Sequence, residues 1–188
     1  MKQIIITACT FAALVAPAWA AEYQIDPAHT NARFAVDHFN TSTNIGGFFN
    51  LTGKVEYDAA KQSGFADITI PVNTLNSGRP AFDQHLKAAD FFDANRFPNM
   101  RFVSDMWVFA DGKLKEIQGN LTLLGKTHPV TLTTTKFNCY QSPMLKTEVC
   151  GGDFETAING AQWGMNYLLK AAATAPIKLS IQIEAAKK

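Results

Sequence analysis

The strongest constraint in this chain is a period of two. From Ala21 onward apolar and polar residues alternate in run after run, the mark of strands with one face buried and one in water. In Thr30 to Phe39, Ala32, Phe34, Val36 and His38 share one face, and Asn31, Arg33 and Asp37 share the other. Between Ile45 and Asp58, Ile45, Gly47, Phe49, Leu51, Gly53, Val55 and Tyr57 lie opposite Asn50, Thr52, Lys54, Glu56 and Asp58. The alternation returns at Ala66, Ile68, Ile70 and Val72, at Phe102, Ser104, Met106 and Val108, and at Ile117, Gly119, Leu121 and Leu123. It continues through Val130, Leu132 and Thr134, then Phe154, Thr156 and Ile158, and last Ile177, Leu179, Ile181 and Ile183. Turn chemistry at Asp111-Gly112, Gly125-Lys126-Thr127 and Asn159-Gly160 separates the runs. About eight strands with short links and no alternating helices predict an all-β antiparallel sandwich or closed barrel.

One segment breaks the period. Phe82, Leu86 and Ala89 recur at helical spacing within Pro80 to Asp93, and Pro80 suits a first helical turn. A helix of roughly three turns is expected there, lying across a sheet or at the mouth of a barrel, and ended by the stretch around Pro98.

The first twenty residues read as an address. Lys2 precedes the apolar run Ile4 to Ala16, and Ala18-Trp19-Ala20 forms an A-x-A cleavage signal. The run falls short of the about 20 residues a spanning helix needs. Residues 1–20 are therefore expected to be a signal peptide and residues 21–188 one exported, periplasmic domain without stable membrane insertion. Seventeen basic against sixteen acidic residues leave no field for nucleic acid. Cys139 and Cys150 remain in the mature part, and an even count in an oxidising compartment favours a disulfide. It would close a short loop and contribute about 3 kcal/mol in the chain-entropy model. Two free thiols are the alternative; a metal pair lacks a nearby third Cys or His.

The segment Asp83-Gln84-His85-Leu86-Lys87-Ala88-Ala89-Asp90-Phe91-Phe92-Asp93, followed by Phe97-Pro98 and Phe102, resembles the D-x-H-L-R-S-x-D-F-L-D…P…F signature of the YceI-like family. Phe34-Ala35-Val36-Asp37-His38, the run Gly119 to Val130 and the closing strand agree in order, so the resemblance spans nearly the whole mature chain. It implies an eight-stranded, lipocalin-like antiparallel β-barrel with a helix near its mouth, a polyisoprenoid ligand in the pore, and a homodimer. Two positions depart from the signature. Phe82 stands where an Arg often precedes the Asp, and Lys87 replaces the Arg after Leu. Losing the first guanidinium disfavours a phosphate head group and turns the expectation toward an isoprenoid quinone such as ubiquinone.

A barrel of eight strands either fills with side chains or holds one slender ligand. The residues expected against such a ligand are Phe34, Val36, His38, Gly47, Phe49, Leu51, Gly53, Ile68, Ile70, Phe82, Leu86, Phe91, Phe102, Leu121 and Leu123. Most would serve equally as ordinary core. Gly47 and Gly53 would leave volume unfilled, or would allow bends at barrel corners. A strand from Ile45 to Asp58 would span roughly 45 Å, room for a linear chain, and each buried methylene is worth about 0.8 kcal/mol. His38, placed inward by the alternation, would be buried and neutral and could donate to a quinone carbonyl, or be a core histidine bonded to backbone. Asp83 reads as a first-turn charge on the helix dipole. His29 and His128 lack metal-ligand spacing. No G-x-S-x-G, H-E-x-x-H or phosphate loop is present. No cofactor, metal or catalytic residue is therefore assigned. A packed interaction module without ligand, and a hydrolase or isomerase using His38 or His85, remain as alternatives.

Overall fold

A computed structural model describes residues 20–165 and 176–188. The expected signal peptide lies, but for Ala20, outside the described residues.

Ten antiparallel strands form one sheet: β1 (Ala21–Ile25), β2 (Asn31–His38), β3 (Ser42–Phe48), β4 (Thr52–Asp58), β5 (Ser63–Pro71), β6 (Asn99–Ala110), β7 (Lys113–Leu123), β8 (Lys126–Gln141), β9 (Glu148–Ile158) and β10 (Ile177–Lys187). The order is β1-β4-β5-β6-β7-β8-β9-β10, and β1 pairs back onto β10 to close the ring. The pair β2–β3 continues β1 and β4 upward: β2 takes over from β1 along the same edge of β10. β1 with β2, and β3 with β4, therefore each act as one broken stave, and ten strands build a closed eight-stave barrel. Closure pairs nearly every strand on both edges and so protects against edge-to-edge aggregation; among the described strands, β3 keeps an outer edge without a full partner.

The expected single strand from Ile45 to Asp58 is instead two, because Asn50 adopts a left-handed conformation (φ 54°) that breaks the pleat. Asn tolerates that region better than most residues. The break shifts the phase. Phe48 points inward and Ile45 is 63% exposed, the reverse of the alternation read through the whole segment. A similar defect interrupts β6 between Ser104 and Met106, turning Trp107 inward and leaving Met106 half exposed. A third lies in β8 between Thr134 and Lys136, beyond which Phe137 faces the interior. Such bulges re-aim side chains by spending one residue.

The helix is shorter than its periodicity suggested. α1 spans Pro80–Lys87, with Pro80 in its first turn and Asp83 accepting from the Ser77 backbone N–H and Oγ. Those bonds hold the Asp83 carboxyl below its ordinary value. Ala88 leaves the helical region, and the chain folds back through Phe92 N–H to Leu86 O and Ala94 N–H to Lys87 O. The turn brings Leu86, Phe91 and Phe92 to the same interior. A continuous helix would spread those three around its circumference.

Candidate ligand-binding lumen

The barrel is not solid. A cavity of about 380 Å³ runs along its axis and touches every stave. Phe34 and Val36 line it from β2, Phe48 from β3, Val55 and Tyr57 from β4, and Ile68 and Ile70 from β5. Phe102 and Trp107 (β6), Ile117 and Leu121 (β7), Val130 and Phe137 (β8), Phe154 (β9) and Ile181 (β10) complete the ring. Further lining residues, including Leu132, Leu179 and Ile183 with Val36, face the lumen yet are only half-buried. The lumen is lined mostly by branched aliphatics, with Phe34, Phe102 and Phe154 among them, and its densest clusters of aromatic rings lie at its two ends.

At one end lie the β2–β3 and β7–β8 turns and the segment 72–98, α1 included. Phe82, His85, Leu86, Phe91 and Phe92 close over the lumen here. The His85 ring packs edge-on against Phe91 at 4.8 Å. Arg33, Asp37, His38 and Asn44 supply the polar lining at this end. Arg79 adds a guanidinium: it lies over the Phe82 ring at 4.4 Å and donates to Asn44 Oδ1 at 3.0 Å. His38 and Phe39 line the lumen while exposed, so among the described residues it reaches the surface here. This is the mouth.

The opposite end is a floor. Tyr57, Trp107 and Phe137 meet with ring centroids 5.3 to 6.2 Å apart, and Phe109 stacks on Tyr57. Nearby, buried Tyr23 donates from its hydroxyl to Glu148 Oε1 at 2.6 Å. Burial first and that hydrogen bond second push its pKa well above the ordinary phenol value, and burial raises Tyr57. Cys139 and Cys150, opposite each other on β8 and β9, are joined as a disulfide; Cys150 lines the lumen.

Of the residues expected against a ligand, Phe34, Val36, His38, Leu51, Ile68, Ile70, Phe82, Leu86, Phe91, Phe102, Leu121 and Leu123 line this cavity. Gly47, Phe49 and Gly53 do not. Gly47 and Phe49 fall on the outer side of the break at Asn50, and Gly47 bridges to Asn76 through both backbone bonds. Gly53 has a φ of 145°, and a Cβ built on it would lie 2.1 Å from the Asp67 carbonyl, so its freedom serves the backbone, not the lumen. Glycines that make room for inward rings are instead Gly46, where a side chain would strike the Phe34 ring, and Gly64, where it would strike Trp107. His38 is an exposed rim residue, not the buried inner histidine the alternation implied, because β2 ends there. The sequence reading missed Trp107 and Phe137, which lie beyond bulges, and Arg79, which lies outside the helix face considered.

No group of three or more His, Cys, Asp or Glu suited to a metal occurs among the described residues. His29 Nδ1 instead pairs with Asp26 Oδ2 at 2.7 Å, and His128 packs edge-on against Trp163. Nor, among these residues, is any helix long and apolar enough to cross a membrane.

A closed antiparallel barrel with an apolar axial lumen and a helix at its mouth places the molecule in the lipocalin-like class. Within that class the chain belongs to the family of the YceI-like domain, whose model matches residues 23–185. It is 34% identical over 146 residues to a UPF0312 protein of Shewanella denitrificans, covering 70% of this chain and 72% of that one. A UPF0312 protein of Pseudomonas putida is 29% identical over 173 residues, covering 90% and 88%. Among solved structures, Burkholderia cenocepacia BcnA superimposes with a TM-score of 0.69 at 22% identity, covering 86% of this chain and 99% of that chain. A polyisoprenoid binding domain from Saccharophagus degradans, implicated in plant cell wall breakdown, gives 0.61 at 14% identity, covering 90% and 99%.

Proposed function

We propose that this protein is an exported, periplasmic binding protein that carries a polyisoprenoid lipid with its tail in the lumen and its head group at the mouth. The observation that carries the reading is the void itself. An apolar shaft of about 380 Å³, walled by aliphatic and aromatic side chains and polar mainly near its mouth, offers a tail burial and offers little to a polar solute. Ten buried carbons would contribute roughly 8 kcal/mol before ordering costs, so the tail supplies affinity and the head group supplies orientation. The likeness to a polyisoprenoid binding domain supports the same ligand class.

An isoprenoid quinone is preferred over a polyprenyl phosphate. His38 and the Asn44 amide Nδ2 offer hydrogen-bonding groups at the rim, and Arg79 is already engaged by Asn44 Oδ1 and the Phe82 ring. The reading is of a carrier, not an enzyme, since the sequence holds no catalytic motif and the rim histidines lie beside apolar rings. It includes the homodimer that the family resemblance implies, which light scattering on the purified mature protein reads directly. The decisive test is the mass of what copurifies. Protein purified without denaturant and extracted into organic solvent should yield near-stoichiometric isoprenoid, with a quinone as its principal species. A polyprenyl phosphate in its place would correct the head group, and an empty barrel would overturn the carrier reading.

A further inference from the structure

The floor separates two spaces. Below it, at the end bearing the β4–β5 and β8–β9 turns, a second pocket, more open to solvent, is lined by Tyr23, Asp58, Glu148 and Lys187. Tyr57 and Phe137 line both cavities, so their rings are a partition. Trp107 completes it and is held by independent devices. The bulge after Ser104 turns it inward, its Nε1–H donates to Ser104 Oγ at 3.2 Å, and its ring lies against Gly64, where a Cβ would sit 2.4 Å from the indole. Ser104 Oγ is itself fixed by the Ala66 N–H at 2.8 Å. An indole that merely filled space would not need a bulge, a glycine and a buried serine to set its angle.

We propose that Tyr57, Trp107 and Phe137 are the stop that sets how long a lipid tail this barrel accepts, an inference that rests on the isoprenoid reading. The shaft above the stop is short. Along β7, from Leu123 at the mouth to Ile117 beside Trp107, the rise is roughly 20 Å along the strand and roughly 15 Å along the axis of a tilted barrel. A longer tail folds back, or leaves its head group beyond the reach of His38 and Asn44. It gains little by passing the stop, because Asp58, Glu148 and Lys187 stand in the chamber beyond and an apolar chain would desolvate them. The rings therefore limit length and keep those charges away from the lumen.

The test loads the mature protein, stripped of lipid, with an equimolar mixture of geraniol, farnesol, geranylgeraniol and solanesol, and reads the bound profile by mass spectrometry. Phe137→Ala deepens the shaft and should raise the bound ratio of long to short alcohols about tenfold. Ile181→Phe puts a ring one layer nearer the mouth and should lower that ratio by a similar factor, and this variant decides the question should Phe137→Ala fail to fold. Folded variants with the wild-type profile would overturn the stop, as would a wild type that takes all four alcohols equally. A wild type that binds none of them fails the isoprenoid reading itself, and the stop with it.

Discussion

The two ends of the barrel are made of different materials. The floor is knit from paired strands, a disulfide and interlocked rings, with Tyr23, Val149 and Ala185 buried around it. At the mouth stand a two-turn helix, a loop that folds back on itself, polar side chains, and Phe39 and Ile45 exposed at 55% and 63%. The contrast teaches a division of labour. One end seals the cylinder with interlocked rings and a disulfide, and the other, though Val72, Leu86 and Trp163 are buried beneath it, presents polar and exposed side chains where the lumen opens.

Four measurements would break or sharpen that contrast. The largest effect is expected at the floor: Trp107→Ala removes a buried indole from a site held rigid by Ser104 and Gly64, and should lower unfolding free energy by about 3–4 kcal/mol in denaturant titration. Next, replacing Cys139 and Cys150 together by Ala should cost roughly 2–3 kcal/mol by the same assay, as the clip across β8 and β9 no longer restricts the unfolded chain. Alkaline pH should then act on the floor. Tyr23 and Tyr57 have phenol pKa values raised in the fold, so their contribution is complete below the unfolded value of about 10 and is lost as pH rises through and beyond it. Thermal melts should fall over that window, and Tyr23→Phe should flatten the fall. The smallest effect is at the mouth: His38→Ala should change stability by less than about 0.5 kcal/mol, while speeding release of a bound quinone followed by fluorescence competition. A loss at His38 as large as that at Trp107 would erase the distinction.

How far the sequence foretold this depends on the backbone defects. Where strands run unbroken, as in β5, β7 and β10, alternation alone places Ile68, Ile70, Leu121, Leu123 and Ile181 in the lumen. Past a defect it fails. Asn50 reverses the phase upstream of Leu51, and the β6 bulge exchanges Met106 for Trp107, because one residue of slip moves a whole side-chain set to the other face. A large aromatic out of phase, as at Trp107 and Phe109, was the available hint of the bulge. Strand β1 was too short to register as a run, although Tyr23 and Ile25 do alternate. The helix was legible at its proline start and not at its end, since tertiary contacts made by Phe91 and Phe92 override helical spacing. Cavities are also beyond a pattern argument: the same apolar residues would fill a narrower ring, and only the closed eight-stave geometry leaves them apart.

The broken staves carry one more consequence. Because β3 ends where β4 begins anew, its outer edge has no full strand beside it and is fastened to the rest of the wall by the Gly47–Asn76 bridge and by Thr74 Oγ1 accepting from Phe49 N–H at 3.0 Å. The cylinder thus has a seam on one side of its upper half, sewn with a few stitches where other joins carry long ladders. Opening that seam would let a flexible hydrocarbon slide in sideways along its length, without threading end-first, and the amides of β3 should exchange with solvent sooner than those of β7 or β9.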